Sequence, residues 1–165
     1  MDGMTRLWLK RSHSPYAAEI HAIAAELDFS GIWFLNGCYQ WGCTALAREQ
    51  GDMPWLARTL DWPFPGLGRH VEVARMRGNA GEFDSVTWPG YAGVLTASAR
   101  GRFAACINQA PMWRRTRQPW LRPFDLALNA MRTWRVRSIP PDHLLRDVFE
   151  TCKTFAEARH RLETT

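Results

Sequence analysis

At 165 residues, 46% of them hydrophobic, the chain fits one ordinary domain with enough apolar side chains to bury a core, which excludes a disordered tail. A net charge of +5 falls short of a dedicated nucleic-acid arm, and four unevenly spaced cysteines without a Cys-x-x-Cys indicate neither a disulfide scaffold nor a zinc ribbon. No secretory signal is read, and the longest apolar stretches are broken by charge well short of the roughly 20 residues of a membrane span, so a soluble, cytoplasmic protein without a membrane span is expected.

Ser14-Pro15 introduces an amphipathic helix in which Ala17, Ile20, Ala24 and Leu27 recur at near-helical spacing, closed by residues 28–31. A short apolar run at 32–36 gives way to Gly37, Cys38, Gly42 and Cys43, which break the pattern. Residues 44–48 and 54–60 read as two strands of a hairpin around Gln50-Gly51-Asp52. Pro63 and Pro65 make residues 61–66 a loop, because each proline removes a ladder donor. Further strands are expected at 71–77, 85–88, 93–99 and 103–108, with turns at Gly78-Asn79, Gly81 and Arg100-Gly101. From about Phe124 the period lengthens: Leu126, Met131 and Trp134 mark one helix, residues 141–151 a second and 155–162 a third. Helix, antiparallel strands, then helices make an α+β chain.

If Gln50-Gly51 centres the hairpin, Arg58 stands directly across from Cys43, and cross-strand partners share a face with Cβ atoms about 4.5–5.5 Å apart. A guanidinium there stabilises negative charge on the sulfur, which singles out Cys43 as the nucleophile among the four cysteines. Asp61 follows where the proline loop begins. A bend would carry its carboxylate to Arg58 or to an amine, whereas strict alternation sends it to the other face.

These residues carry a resemblance. Gly42-Cys43-Thr44 followed by Ala57-Arg58-Thr59-Leu60-Asp61-Trp62-Pro63-Phe64 resembles the N-terminal-nucleophile cysteine hydrolases, in the branch of acid ceramidase, N-acylethanolamine acid amidase and the penicillin acyltransferases. Choloylglycine hydrolases and penicillin V acylases are more distant relatives, and the likeness runs from Leu35 to the end. It implies a partial four-layer αββα sandwich of antiparallel sheets with Cys43 beginning a central strand, so that the strands are buried on both faces and Leu46, Trp55 and Ala57 are apolar for that reason. It further implies autocatalytic cutting between Gly42 and Cys43, leaving residues 1–42 as a propeptide or small subunit and 43–165 as the N-terminal part of the catalytic domain. The freed α-amine, with an ordinary pKa of roughly 7.7–8.0, then serves as base for its own thiol. Arg58 and Asp61 tune thiolate and amine, and Asn108 helps bind the oxyanion, a donor commonly worth about 2.7–4 kcal/mol. Trp62, Phe64 and Trp88 line an acyl pocket, and the substrate is a small N-acyl amine or N-acyl amino acid, with acyl transfer to another amine as the sibling reaction. No cofactor is implied.

The sequence departs from that pattern at Ala45, Thr59 and Trp62, where the branch often has Ser, Asn and Tyr. Relatives are longer and place a second oxyanion asparagine past position 165, so a missing C-terminal half or a homo-oligomer is an expected partner, and an inactive relative acting only by binding is the competing reading. Cys106 and Cys152 fall in apolar patterns and read as core. The histidines show no metal-ligand spacing, so no metal is expected. The stretch 113–122 interleaves Trp and Arg, as nucleic-acid binders do, but the basic residues stop after one short cluster; no nucleic acid is expected, and a lipid- or acyl-facing lid or a Trp-packed loop fits better.

Overall fold

The computed structural model describes residues 2–27, 29–37, 42–51, 53–61, 65–109, 113–115 and 117–165. Three helices open the chain, α1 (Asp2–Arg11), α2 (Ala17–Glu26) and α3 (Ile32–Leu35). Strands β1 (Gly42–Gln50), β2 (Met53–Asp61), β3 (Glu72–Gly78), β4 (Gly81–Thr87), β5 (Thr96–Ala99) and β6 (Phe103–Cys106) follow, then helices α4 (Arg122–Arg135), α5 (Pro141–Thr151) and α6 (Phe155–Thr164). All pairings are antiparallel, with β3 to β6 in sequence order in one sheet and β1 with β2 in a hairpin of their own. The chain is α+β, as its pattern indicates.

One face of the four-stranded sheet, through Phe83, Ala97, Ala99 and Phe103, buries itself against Leu145, Val148 and Phe149 of α5 and Ala158 of α6. Phe149 packs its ring on both Phe83 and Phe103, at centroid distances of 5.2 and 4.7 Å. Helix α5 earns its place by an apolar i, i+3, i+4 stripe behind Pro141 at its first turn. Thr154 caps α6 by accepting from the Glu157 amide at 3.2 Å, while Glu157 accepts from the Lys153 amide at 2.7 Å. At the other end of α5, Gly78 lies flat on the Glu150 backbone, where a Cβ would overlap main chain. The opposite sheet face, with Val86 and Thr96, looks at Leu56, Arg58 and Leu60 of the hairpin.

Several elements differ from the pattern expected. Helix α1 has no counterpart in the sequence pattern; the apolar run that follows α2 folds as the helical turn α3, and Asp2 joins the two by accepting from the amides of Gly31 and Phe34, at 2.6 and 2.9 Å. Strand β4 starts at Gly81 rather than 85, because Gly81 adopts φ +114° and lets the ladder begin directly opposite Gly78. Strand β5 starts at Thr96, the Val94 amide being committed to the Asp142 carbonyl at 3.0 Å. Among the described residues β1 pairs only with β2, so Cys43 does not begin a central strand, and the hairpin's outer face is exposed, with Leu46 56% and Trp55 39% accessible.

Helices α1 to α3 are stitched to residues 90–92 and to helices α4 and α5. Trp8, Leu9, Ile20, Ile32 and Trp33 form a cluster with Ala92 and Trp134. The buried Asn36 amide donates to the carbonyls of Ile32 and Gly90 and accepts from the Ala92 amide. Tyr16 donates to Glu150 at 2.8 Å, and Arg146 donates to Glu19, Glu150 and the Ala92 carbonyl while its guanidinium lies 4.1 Å from the Tyr16 ring centre.

His143 sits in this network, fully buried, with Nδ1 2.7 Å from Ser14 Oγ, the Tyr16 ring edge-on, and Asp142, Arg146 and Glu19 around it. Burial pushes its pKa below the ordinary 6.5, opposed by Asp142 and Glu19 and assisted by Arg146. An unfolded chain takes up the proton as pH falls through about 6.5 while the folded chain resists it, so this group costs nothing above that pH and destabilises the fold below it. Tm is expected to drop as pH goes from about 6.5 to about 5, and less steeply in His143→Gln; circular dichroism melts at these pH values check it, an equal slope assigning the acid sensitivity elsewhere.

Candidate active site

The hairpin turn is one residue later than the sequence suggests. Gln50 pairs with Met53 across residues 51 and 52, and Gly51 takes φ +62°, the left-handed conformation that a two-residue turn demands and that Gln50 would adopt only at a cost. Cys43 therefore pairs with Leu60 and Ala45 with Arg58. The slip amounts to two residues on β2, which preserves side-chain parity, so Arg58 remains on the face of Cys43 as its diagonal neighbour. A long side chain spans that diagonal: Arg58 Nη2 donates to Cys43 Sγ at 3.0 Å.

The same guanidinium is held from the sheet behind it. Nη1 donates to Thr96 Oγ1 and Nη2 to the Ile107 carbonyl, both at 2.6 Å, which fixes the fork between the hairpin and strands β5 and β6. Its Nε is buried with no hydrogen-bond partner among the described residues. Cys106, paired with Thr96 and hence on the same face, is the second thiol here; burial pushes its pKa up, Arg58 opposes this and Cys43 adds to it.

Asp61 stays in β2 opposite Gly42, exposed and on the face away from the Cys43 sulfur. The bend toward Arg58 does not occur at this residue; instead the carboxylate lies beside Gly42, 3.8 Å from where a Cβ there would stand. That Cβ would make only ordinary contact, so packing places no demand for glycine at 42. Strand β6 ends at Cys106, and Asn108 is an exposed residue just beyond it, one position from the carbonyl that Arg58 grips.

An apolar cleft of about 300 Å³ opens beside Arg58, walled by Leu56, Leu60, Leu67, Val71, Val86 and Trp88, with Thr96 as a polar contact. Trp88 is buried and fixed by donating to the Leu67 carbonyl at 3.0 Å. Cys43, with Leu60 and Leu67, packs against the buried cluster of Trp88, Tyr91 and Leu95, but is not among the residues that line the cleft. Trp62 and Phe64, the other two expected pocket residues, lie outside the described residues, as does Cys38. Cys152 is buried in the sheet–helix core. Among the described residues no group of three or more His, Cys, Asp or Glu side chains is placed to hold a metal ion. No helix among them is long and apolar enough to cross a membrane. Thr96 and the Ile107 carbonyl, which complete the guanidinium site, were missed from sequence; only their positions on adjacent strands of a correctly paired hairpin could have pointed to them.

No family model matches the chain, and none of the curated proteins is significantly similar to it.

Proposed function

We propose that the chain is the nucleophile-bearing part of an N-terminal-nucleophile cysteine amidohydrolase, acting on an N-acyl amine or N-acyl amino acid in the cytoplasm. The observation that carries this reading is the 3.0 Å contact from the Arg58 guanidinium to Cys43 Sγ at the start of strand β1, with a carboxylate beside the preceding Gly42. An obligate cation donating to sulfur stabilises the negative charge that a nucleophilic thiol must carry.

In activation, the Cys43 sulfur attacks the Gly42 carbonyl carbon, the Gly42–Cys43 C–N bond breaks with the proton going to nitrogen, and water hydrolyses the resulting thioester. The new α-amine then stands near Asp61 and accepts the thiol proton at the start of each turnover. Sulfur attacks the substrate amide carbon, the amine returns its proton to the departing nitrogen, and water resolves the acyl-sulfur bond. An amine in place of that water gives the acyl-transfer variant. The apolar cleft at Arg58 and Trp88 suits the acyl group, being at the small end of ligand-pocket volumes.

Intact mass spectrometry tests the reading. The wild-type chain is expected to separate into residues 1–42 and 43–165, and Cys43→Ala to stay whole. A wild-type chain that remains uncut and whose Cys43 is neither alkylated by a chloromethyl ketone, with loss of chloride, nor acylated by an activated N-acyl probe would favour the competing view of a protein that only binds.

A further inference from the structure

Residues 113–137 hold seven arginines and a single acid, Asp125, so this stretch carries +6 in a chain whose total is +5. The rest of the protein is close to neutral. The acid is also spoken for: buried Asp125 accepts from Arg115 Nη1 at 3.2 Å, leaving Arg114, Arg117, Arg122, Arg135 and Arg137 exposed.

Helix α4 is anchored along two of its sides. On one, Trp134 packs into the N-terminal cluster with the Arg11 guanidinium 5.3 Å from its ring centre, and Trp8 donates to the Thr133 carbonyl at 3.0 Å. On the other, Asn129 donates to the Trp113 carbonyl at 2.9 Å, and the Trp113 ring carries the guanidiniums of Arg115 and Arg132 at 5.0 and 4.4 Å. The remaining side presents Phe124, Leu128 and Met131, which helical spacing puts in one line, and Trp120 extends that line from the preceding turn. Trp120 is 73% accessible, Phe124 57% and Met131 50%.

We infer that α4 and its leading turn form a docking surface for an anionic phospholipid bilayer, the helix lying in the plane of the interface. A preformed helix with aromatic and thioether side chains on its free line and exposed arginines at both of its ends matches the interfacial class: apolar groups enter the acyl boundary while guanidiniums pair with phosphates. A nucleic acid fits less well. The Trp113 ring already carries two guanidiniums, and Leu128 and Met131 have nothing to meet on a phosphate backbone.

Co-sedimentation of the full chain with vesicles of phosphatidylcholine, with and without one-third phosphatidylglycerol, tests this in salt of about 0.1 M and about 0.5 M. About tenfold more protein is expected on the anionic vesicles at low salt, falling sharply at high salt. Neutralising Arg117, Arg122, Arg135 and Arg137 to Gln together should bring binding to the level of neutral vesicles, and Trp120→Ser with Phe124→Ser should weaken it by a similar factor. Equal binding to both vesicle types, no binding at low salt, or displacement from vesicles by a single-stranded oligonucleotide that the chain prefers would each overturn the inference. The lipid and salt comparison uses the wild-type chain, so it decides even where a variant fails to fold.

Discussion

Arg58→Met is expected to slow alkylation of Cys43 by iodoacetamide at neutral pH by roughly ten- to a hundredfold, since a hydrogen bond to a charged partner is worth about 1.5–3 kcal/mol. The methionine keeps the bulk of the side chain between hairpin and sheet while removing the cation and its donors to Cys43 Sγ, Thr96 and the Ile107 carbonyl. Arg58→Lys should fall between, keeping charge but losing the fork that reaches three acceptors at once. Peptide mapping gives an internal reference, because Cys106 is held back by burial and Cys152 lies in the core. Unchanged Cys43 labelling in Arg58→Met would mean the guanidinium only props the hairpin on the sheet.

The second large effect is on stability. Phe149→Ala is expected to cost about 3–5 kcal/mol, because the side chain is fully buried and its removal leaves a void facing Phe83 and Phe103 that two rings on a hydrogen-bonded sheet cannot collapse to fill. Urea titration should show the midpoint shifted with an unchanged slope. A cost below about 1 kcal/mol would indicate that α5 slides to close the gap, which the Val94 amide to Asp142 carbonyl bond and the Ala80 amide to Glu150 carbonyl bond oppose.

What was legible in the sequence divides by the range of the forces concerned. Helix α5 was placed residue for residue, since Pro141 starts it and its apolar stripe is a local, periodic signal. That Cys43 and Arg58 share a face is legible from parity although the expected direct pairing is not formed, because a slip of two leaves every side chain on its own face. Glycine conformation was not: that Gly51 rather than Gln50 leads the turn depends on which residue takes positive φ. Helix α1 was invisible because no apolar period runs through residues 2–11; it is fixed by burying Trp8 and Leu9 against distant residues and by Asp2 reaching the start of α3. The exposed outer face of the hairpin contradicts a reading that took every apolar strand residue as buried on both sides, and local composition offers no means of telling the two apart.

Helices α1 and α2 are synthesised well before groups that complete their cover, Ala92, Thr133, Trp134, His143 and Glu150. At ordinary elongation speeds of about 5–20 residues per second, Trp8, Leu9 and Ile20 wait roughly six to twenty-five seconds, with Ile32 and Trp33 as their early cover, before Trp134 is made to complete the cluster. The demand this creates is for holding chaperones during translation, and it falls on the nascent chain rather than on the finished protein.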